Sequence, residues 1–156
     1  MICVGDTAPA FTLPSTEGEI SLRSLQGKLV VLYFYPKDNT PGCTVESLDF
    51  SSLKNEFDKH DTVILGINKD TVQSHKKFCA GRGLTVTLLS DTDTTVQKAY
   101  GVWEKQKFMW HKFMGTSRTT FLINRDQQIL NIWRDVDVKK HAEEVLEEVK
   151  KIWKKK

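Results

Sequence analysis

The stretch that decides the fold is KLVVLYFYPKDNTPGCTVE, residues 28–46. Its first half is a nearly unbroken run of β-branched, aliphatic and aromatic residues. Such a run predicts a strand buried on both faces, as in the middle of a sheet with helices on either side. Pro36 ends it. A short polar loop follows. Thr40 then stands where a helix N-cap belongs, and Pro41 occupies the favoured first helical position. Val45, Leu48, Leu53 and Phe57 recur at near-helical spacing, which predicts an inward apolar stripe. A strand therefore hands over to a helix, with Cys43 in the first helical turn.

The same grammar extends outward. AFTLPSTEGEISLRSL reads as an N-terminal β-hairpin around the turn signal STEGE. TVILGIN predicts a second buried strand, and DTVQSHKKFCAGRG a helix capped by Asp70 or Thr71 with glycines at its end. VTLLSD predicts a strand, TDTTVQKAYGV a helix ending at Gly101, and RTTFLINRDQQILNIWR a hairpin. DVKKHAEEVLEEVKKIWKKK is a closing amphipathic helix with Val138, Ala142, Val145, Leu146, Val149 and Ile152 on its stripe. Strands alternating with helices, followed by a late antiparallel hairpin, give an α/β domain with a mixed central sheet flanked by helices. That order fits a thioredoxin-like fold. VWEKQKFMWHKFMGTS is expected to be a loop over the sheet edge; its functional alternatives are a pocket wall or a self-association patch.

The chain has 156 residues, 39% hydrophobic and 28% charged, with net charge +3. Those values suit one soluble globular domain over 1–156. Part of the positive excess sits in the terminal KKIWKKK, and no basic stripe with interleaved aromatics appears, so nucleic acid is not an expected partner. No run is long and apolar enough to span a membrane, and no export signal is visible. Three cysteines at wide spacing, Cys3, Cys43 and Cys79, argue for reduced thiols and a cytoplasmic protein. His60, His75, His111 and His141 show no metal-ligand spacing, and no cofactor is expected. A cysteine hydrolase would need a histidine against Cys43, for which a loop residue such as His111 is the weak candidate.

The chemistry turns on Cys43. The first amides of a helix lack intrahelical partners and the dipole there is positive, so a thiolate is favoured. A disulfide oxidoreductase would need a second cysteine at position 46, and this chain has Glu46 there. One activated thiolate remains, suited to attack on a small electrophile such as a peroxide, with a sulfenic acid as product. The alternative is a redox-sensing thioredoxin-fold protein using Cys43 as a signal.

YPKDNTPGCTVE resembles the active-site signature of peroxiredoxins, Pro-x-x-x-Thr-x-x-Cys, in the form found in the bacterioferritin comigratory protein or Q-type subfamily. GDTAPAFTLPSTEGEISLRSL, LLSD, AYGVW and SRTTFLINRDQQI extend the resemblance over most of the chain. It implies a thiol peroxidase acting on hydrogen peroxide and organic hydroperoxides. In that reading Cys43 is the peroxidatic cysteine, Pro36 shields the pocket, Thr40 hydrogen-bonds thiolate and peroxide, and Arg118 supplies fixed positive charge, with Glu46 orienting Arg118. Many Q-type relatives carry a resolving cysteine five residues after the first. Leu48 stands there and reads as core. From its sequence setting alone, Cys79 is equally well a small apolar residue beside Phe78 or a resolving thiol. The resemblance favours an intramolecular Cys43–Cys79 disulfide recycled by thioredoxin; the alternative is a one-cysteine enzyme resolved by an external thiol. A monomer or weak homodimer is expected. Cys3 has no motif and reads as incidental.

Overall fold

The computed structural model describes residues 2–154. A hairpin of β1 (Thr12–Ser15) and β2 (Gly18–Ser21) opens the fold, as expected, and a 3-10 turn (Leu22–Leu25) follows. Then come β3 (Leu29–Phe34), α1 (Pro41–Ser52), α2 (Lys54–Lys59), β4 (Thr62–Asn68), α3 (Val72–Arg82), β5 (Thr87–Ser90) and α4 (Thr95–Ala99). The chain closes with β6 (Trp103–Phe108), β7 (His111–Thr116), β8 (Thr119–Ile123), β9 (Ile129–Trp133) and α5 (His141–Lys154). Seven strands form one mixed sheet in the order β2-β1-β5-β4-β3-β8-β9. β3, β4 and β5 run parallel, and β8 lies antiparallel to β3 on its other side.

β3 shows why its sequence is apolar throughout. All six of its residues are buried. Leu29, Val31 and Tyr33 face a core shared with Phe50 of α1, Phe78 of α3 and Val145 and Val149 of α5. Val30, Leu32 and Phe34 face a second core with Phe11, Leu22, Val96, Tyr100 and Phe121. The period-2 pleat sends alternate residues to two covered faces, so neither set can be polar.

Three expectations are corrected. Val45 and Leu48 do not point inward; they are 43% and 39% exposed. The buried positions of α1 are Cys43, Thr44, Glu46, Ser47 and Phe50. Polar side chains occupy the inner face because each has a partner there: Glu46 meets Arg118, and Ser47 Oγ lies 3.0 Å from Tyr33 Oη. A hydrophobic count cannot see such pairing. The aromatic stretch 103–116 is no loop. β6 and β7 form a separate two-stranded sheet, with Trp103 opposite Thr116 and Lys107 opposite Lys112. Alternation is masked there because each face mixes charged with aromatic residues, Trp103 with Lys105, Lys107 and Lys112 on one and Phe113 with Glu104 on the other. Val138 precedes α5 rather than joining its stripe. In α3 the cap is Thr71, whose side chain accepts from Ser74 N, and the helix ends at Gly83 with φ +66.

Candidate active site

β3 and β4 are parallel, so the helices that follow them, α1 and α3, both begin at the same edge of the sheet. The loop 35–40 crosses that edge. Thr40 is extended at the N-cap position, and Pro41 opens α1. Thr44 N and Thr44 Oγ1 both donate to Thr40 O, at 2.8 and 2.6 Å, which fixes the first turn around Cys43. No side chain caps this helix. The Thr40 hydroxyl instead donates to Lys37 O at 3.0 Å, turned from the role the sequence suggests. The amides of the first turn are thus left uncapped by side chains, and the dipole favours an anion there.

Arg118, placed just before β8, closes over this turn. Its Nη2 donates to Cys43 Sγ at 3.3 Å, and its Nη1 donates to Glu46 Oε1 at 2.9 Å. One guanidinium fork therefore holds the sulfur and the carboxylate together, residues that lie 72 to 75 positions away in sequence. Cys43 is only 1% exposed, deeper than a reactive loop cysteine is expected to be. Its cover on the polar side is the Arg118 side chain, itself 19% exposed. Pro36 is exposed and lines a groove of about 350 Å³ with Trp103, Phe113 and Met114 of the β6–β7 hairpin, so it borders a surface recess rather than sealing the sulfur.

Gly42 belongs to this arrangement for a reason the motif alone does not give. A Cβ built on it would lie 3.3 Å from Arg118 Nη2. Gly42→Ala should displace the fork by a few tenths of an ångström and lower the rate constant for peroxide roughly tenfold, while stability changes little. Stopped-flow oxidation of the variant checks this; an unchanged rate would mean the fork's position is not critical.

Glu46 is 1% exposed. Burial is the dominant influence and raises its carboxyl to about 7, against the opposing charge and hydrogen bond of Arg118. Its Oε2 has no hydrogen-bond partner. The folded protein then keeps a proton on Glu46 that the unfolded chain releases near 4.5. Stability from this group is full below about pH 4.5 and is lost as pH rises through about 7. Glu46→Gln should flatten that part of the curve of melting temperature against pH; an unaltered curve would assign the slope to other groups.

Cys79 is half-buried, packs against the core of Phe50 and Phe78, and is a free thiol, as is Cys43. Burial raises it to about 11, with further contributions from the charges of Asp38 and Glu17. Cys3 is exposed, and its backbone N–H donates to Asp6 Oδ2 at 2.8 Å.

The matches with known proteins bear on this geometry. A model of the AhpC/TSA family matches residues 4–132. The putative peroxiredoxin bcp of Coxiella burnetii is 47% identical over 144 residues, covering 92% of this chain and 95% of the relative. This chain is a peroxiredoxin of the AhpC/TSA family. The Bcp peroxiredoxin of Bacillus subtilis is 39% identical, with 94% of each chain covered. Among solved structures, the Xanthomonas campestris bacterioferritin comigratory protein superposes with a TM-score of 0.87 at 39% identity and 92% coverage of both chains. A Xylella fastidiosa PrxQ variant superposes at 0.91, with 37% identity and 97% coverage of both. The Q-type branch and the thioredoxin-like fold are thereby established, and with them a thiol-based peroxidase.

The structure also brings together residues that the sequence did not link. Asp38 and His75 form a buried pair at 2.7 Å beside the Cys43 loop. Asp38 reads as one more polar loop residue, and His75 stands on a helix with no motif. Only the parallel pairing of β3 and β4 brings them together.

Proposed function

We propose that Cys43 is the atom at which the peroxiredoxin reduces its hydroperoxide, with Arg118 as the principal side-chain donor. The observation that carries this is the fork from Arg118 to Cys43 Sγ and Glu46 Oε1. The sulfur attacks the terminal peroxide oxygen. An S–O bond forms, the O–O bond breaks, and the leaving oxygen departs as water or alcohol after taking a proton. Charge moves from sulfur to the leaving oxygen along the line that Arg118 and the first-turn amides of α1 face. Glu46 orients the fork. Thr40 turns its hydroxyl from Lys37 O toward the peroxide when substrate enters, and Pro36 shapes the approach. Because Cys43 is 1% exposed, peroxide entry requires a local movement of the residues that cover the sulfur.

Organic as well as inorganic hydroperoxides are proposed substrates. The recess of Trp103, Phe113 and Met114 supports the former, as does the alkyl peroxide reduction activity ascribed to the Xanthomonas relative. Cys79 is the proposed resolving residue. Its thiolate attacks the Cys43 sulfenic sulfur; the S–S bond forms, the S–O bond breaks, and hydroxide leaves as water after protonation. A dithiol protein of the thioredoxin type then reduces the disulfide by exchange. The cytoplasm, where such reductants are abundant, is the proposed compartment; no helix among the described residues is long and apolar enough to cross a membrane. Non-reducing mass mapping after one equivalent of peroxide tests the scheme. A Cys43–Cys79 cross-linked peptide is expected. A lasting Cys43 sulfenate with Cys79 free would replace it with resolution by an external thiol.

A further inference from the structure

A polar cluster joins the loop that leads into Cys43 to the helix that carries Cys79. Four donors converge on the Asp38 carboxylate. Tyr35 Oη and Asn68 Nδ2 reach Oδ1 at 2.6 and 3.2 Å. Ser74 Oγ and His75 Nδ1 reach Oδ2, both at 2.7 Å. Asp38 N donates to Asp70 Oδ2 at 2.8 Å, and Asp70 is held in turn by Asn68. His75 Nε2 lies 2.9 Å from Leu89 O, which can only accept. Burial would raise the Asp38 carboxyl, but the hydrogen bonds from His75, Tyr35 and Ser74 and the charge of His75 outweigh it and hold the group ionised. Both ring nitrogens of His75 face acceptors, the Asp38 carboxylate and Leu89 O. The two side chains are 0% and 4% exposed, so this contact lies inside the protein.

Its position in the chain gives it a task. Asp38 lies in the loop that leads into the Cys43 turn, and His75 lies one helical turn before Cys79 on α3. Cys43 is at the mouth of α1, whereas Cys79 is seven residues along α3, roughly 10 Å from that helix's start. A disulfide needs Cα atoms within about 7 Å. Through Ser74 and His75, Asp38 ties the start of α3 to the loop that leads into Cys43.

We infer that Asp38 and His75 form a latch that makes the Cys43 loop and the first turns of α3 open as one unit, setting the rate at which Cys79 is released toward Cys43. The release towards Cys43 rests on the resolving role proposed for Cys79; the joint opening does not. While the latch is closed, Cys79 is half-buried near the Asp38 charge and stays a thiol. Opening removes both influences and frees its thiolate. The latch residues touch neither peroxide nor sulfur; they position the elements that carry the sulfurs.

Ser74→Ala removes one of the four donors and leaves the Asp38–His75 contact, so folding is retained; Asp38→Asn removes the carboxylate charge but not the side chain. A hydrogen bond to a charged group shifts a local opening equilibrium roughly 10- to 100-fold. In rapid-mixing experiments on reduced full-length protein, the disulfide-forming step should accelerate about tenfold in Ser74→Ala and more in Asp38→Asn. The step with hydrogen peroxide should change less than about threefold, since the fork on Cys43 is untouched. A merely structural role would slow both. Hydrogen exchange of the reduced proteins supplies a readout that needs no disulfide: amides of 38–44 and 72–80 should speed up together. Acceleration confined to one segment, or to neither, overturns the latch. So does an unaccelerated disulfide step in a protein that makes the bridge. If the wild type forms no Cys43–Cys79 bridge, the resolving role of Cys79 falls, and joint exchange alone decides whether the latch exists.

Discussion

Arg118→Ala should lower the second-order rate constant for hydrogen peroxide by about 100- to 1,000-fold, the effect of removing one preorganised donor from a developing negative charge. The guanidinium is the side-chain donor that reaches Cys43 Sγ, at 3.3 Å, and no other element offers a replacement cation at that distance among the described contacts. Arg118→Lys should recover part of the loss. An ammonium can meet the sulfur or Glu46 Oε1 but cannot span both as the planar fork does. The stability cost should stay below the roughly 3–5 kcal/mol of a broken buried ion pair. Glu46 is already pushed up to about 7, and without Arg118 it takes a proton rather than remaining a bare buried charge. Stopped-flow oxidation gives the rate and urea unfolding the stability. A rate within about threefold of wild type would dismiss Arg118 from the reaction and leave it as a surface-facing tether for Glu46.

The second large effect is on folding. Gly66→Ala should destabilise the protein by about 3 kcal/mol, the upper end of the usual range for overpacking. Gly66 sits in β4 between Tyr33 of β3 and Leu88 of β5. A Cβ there would fall 2.6 Å from Tyr33 Cζ, 2.7 Å from its Oη and 2.8 Å from Leu88 Cδ2. The ring cannot retreat. It stacks on Phe50 at 4.7 Å and on Tyr35 at 5.5 Å, and it is fully buried. Displacement would also part Tyr33 Oη from Ser47 Oγ, the bond that seats α1 and so Cys43. Tyr33→Phe removes the clashing hydroxyl, so Gly66→Ala should cost less in that background than alone. Additive costs, or a Gly66→Ala protein as stable as wild type, would show that the sheet yields at this point.

How much was readable in the chain follows from the range of the forces involved. β3 was legible because burial on both faces leaves it a continuous apolar run. The start of α1 was legible because Thr40-Pro41 is local punctuation. The sulfur's setting at that helix mouth needed nothing beyond the same few residues. Glu46 was linked to Arg118 only through the family resemblance, and the structure brings the two together at 2.9 Å. The inner face of α1 was misread, because Glu46 and Ser47 are buried against Arg118, just before β8, and Tyr33 of β3, partners that their neighbours in sequence do not reveal. The β6–β7 hairpin was missed since its strands pair only with each other and mix charge with aromatic residues on each face.

By itself, then, the sequence determined a strand-to-helix handover that places a lone thiol where backbone dipoles welcome an anion. That is chemistry of nearest neighbours, encoded within a dozen residues. Tertiary structure alone decided what covers that thiol and what ties its loop down. Arg118, Glu46, Asp38 and His75 meet only because β3 is flanked by β4 on one side and β8 on the other. Charges and hydrogen bonds act over a few ångströms, and it is sheet order, not distance along the chain, that brings those groups within reach.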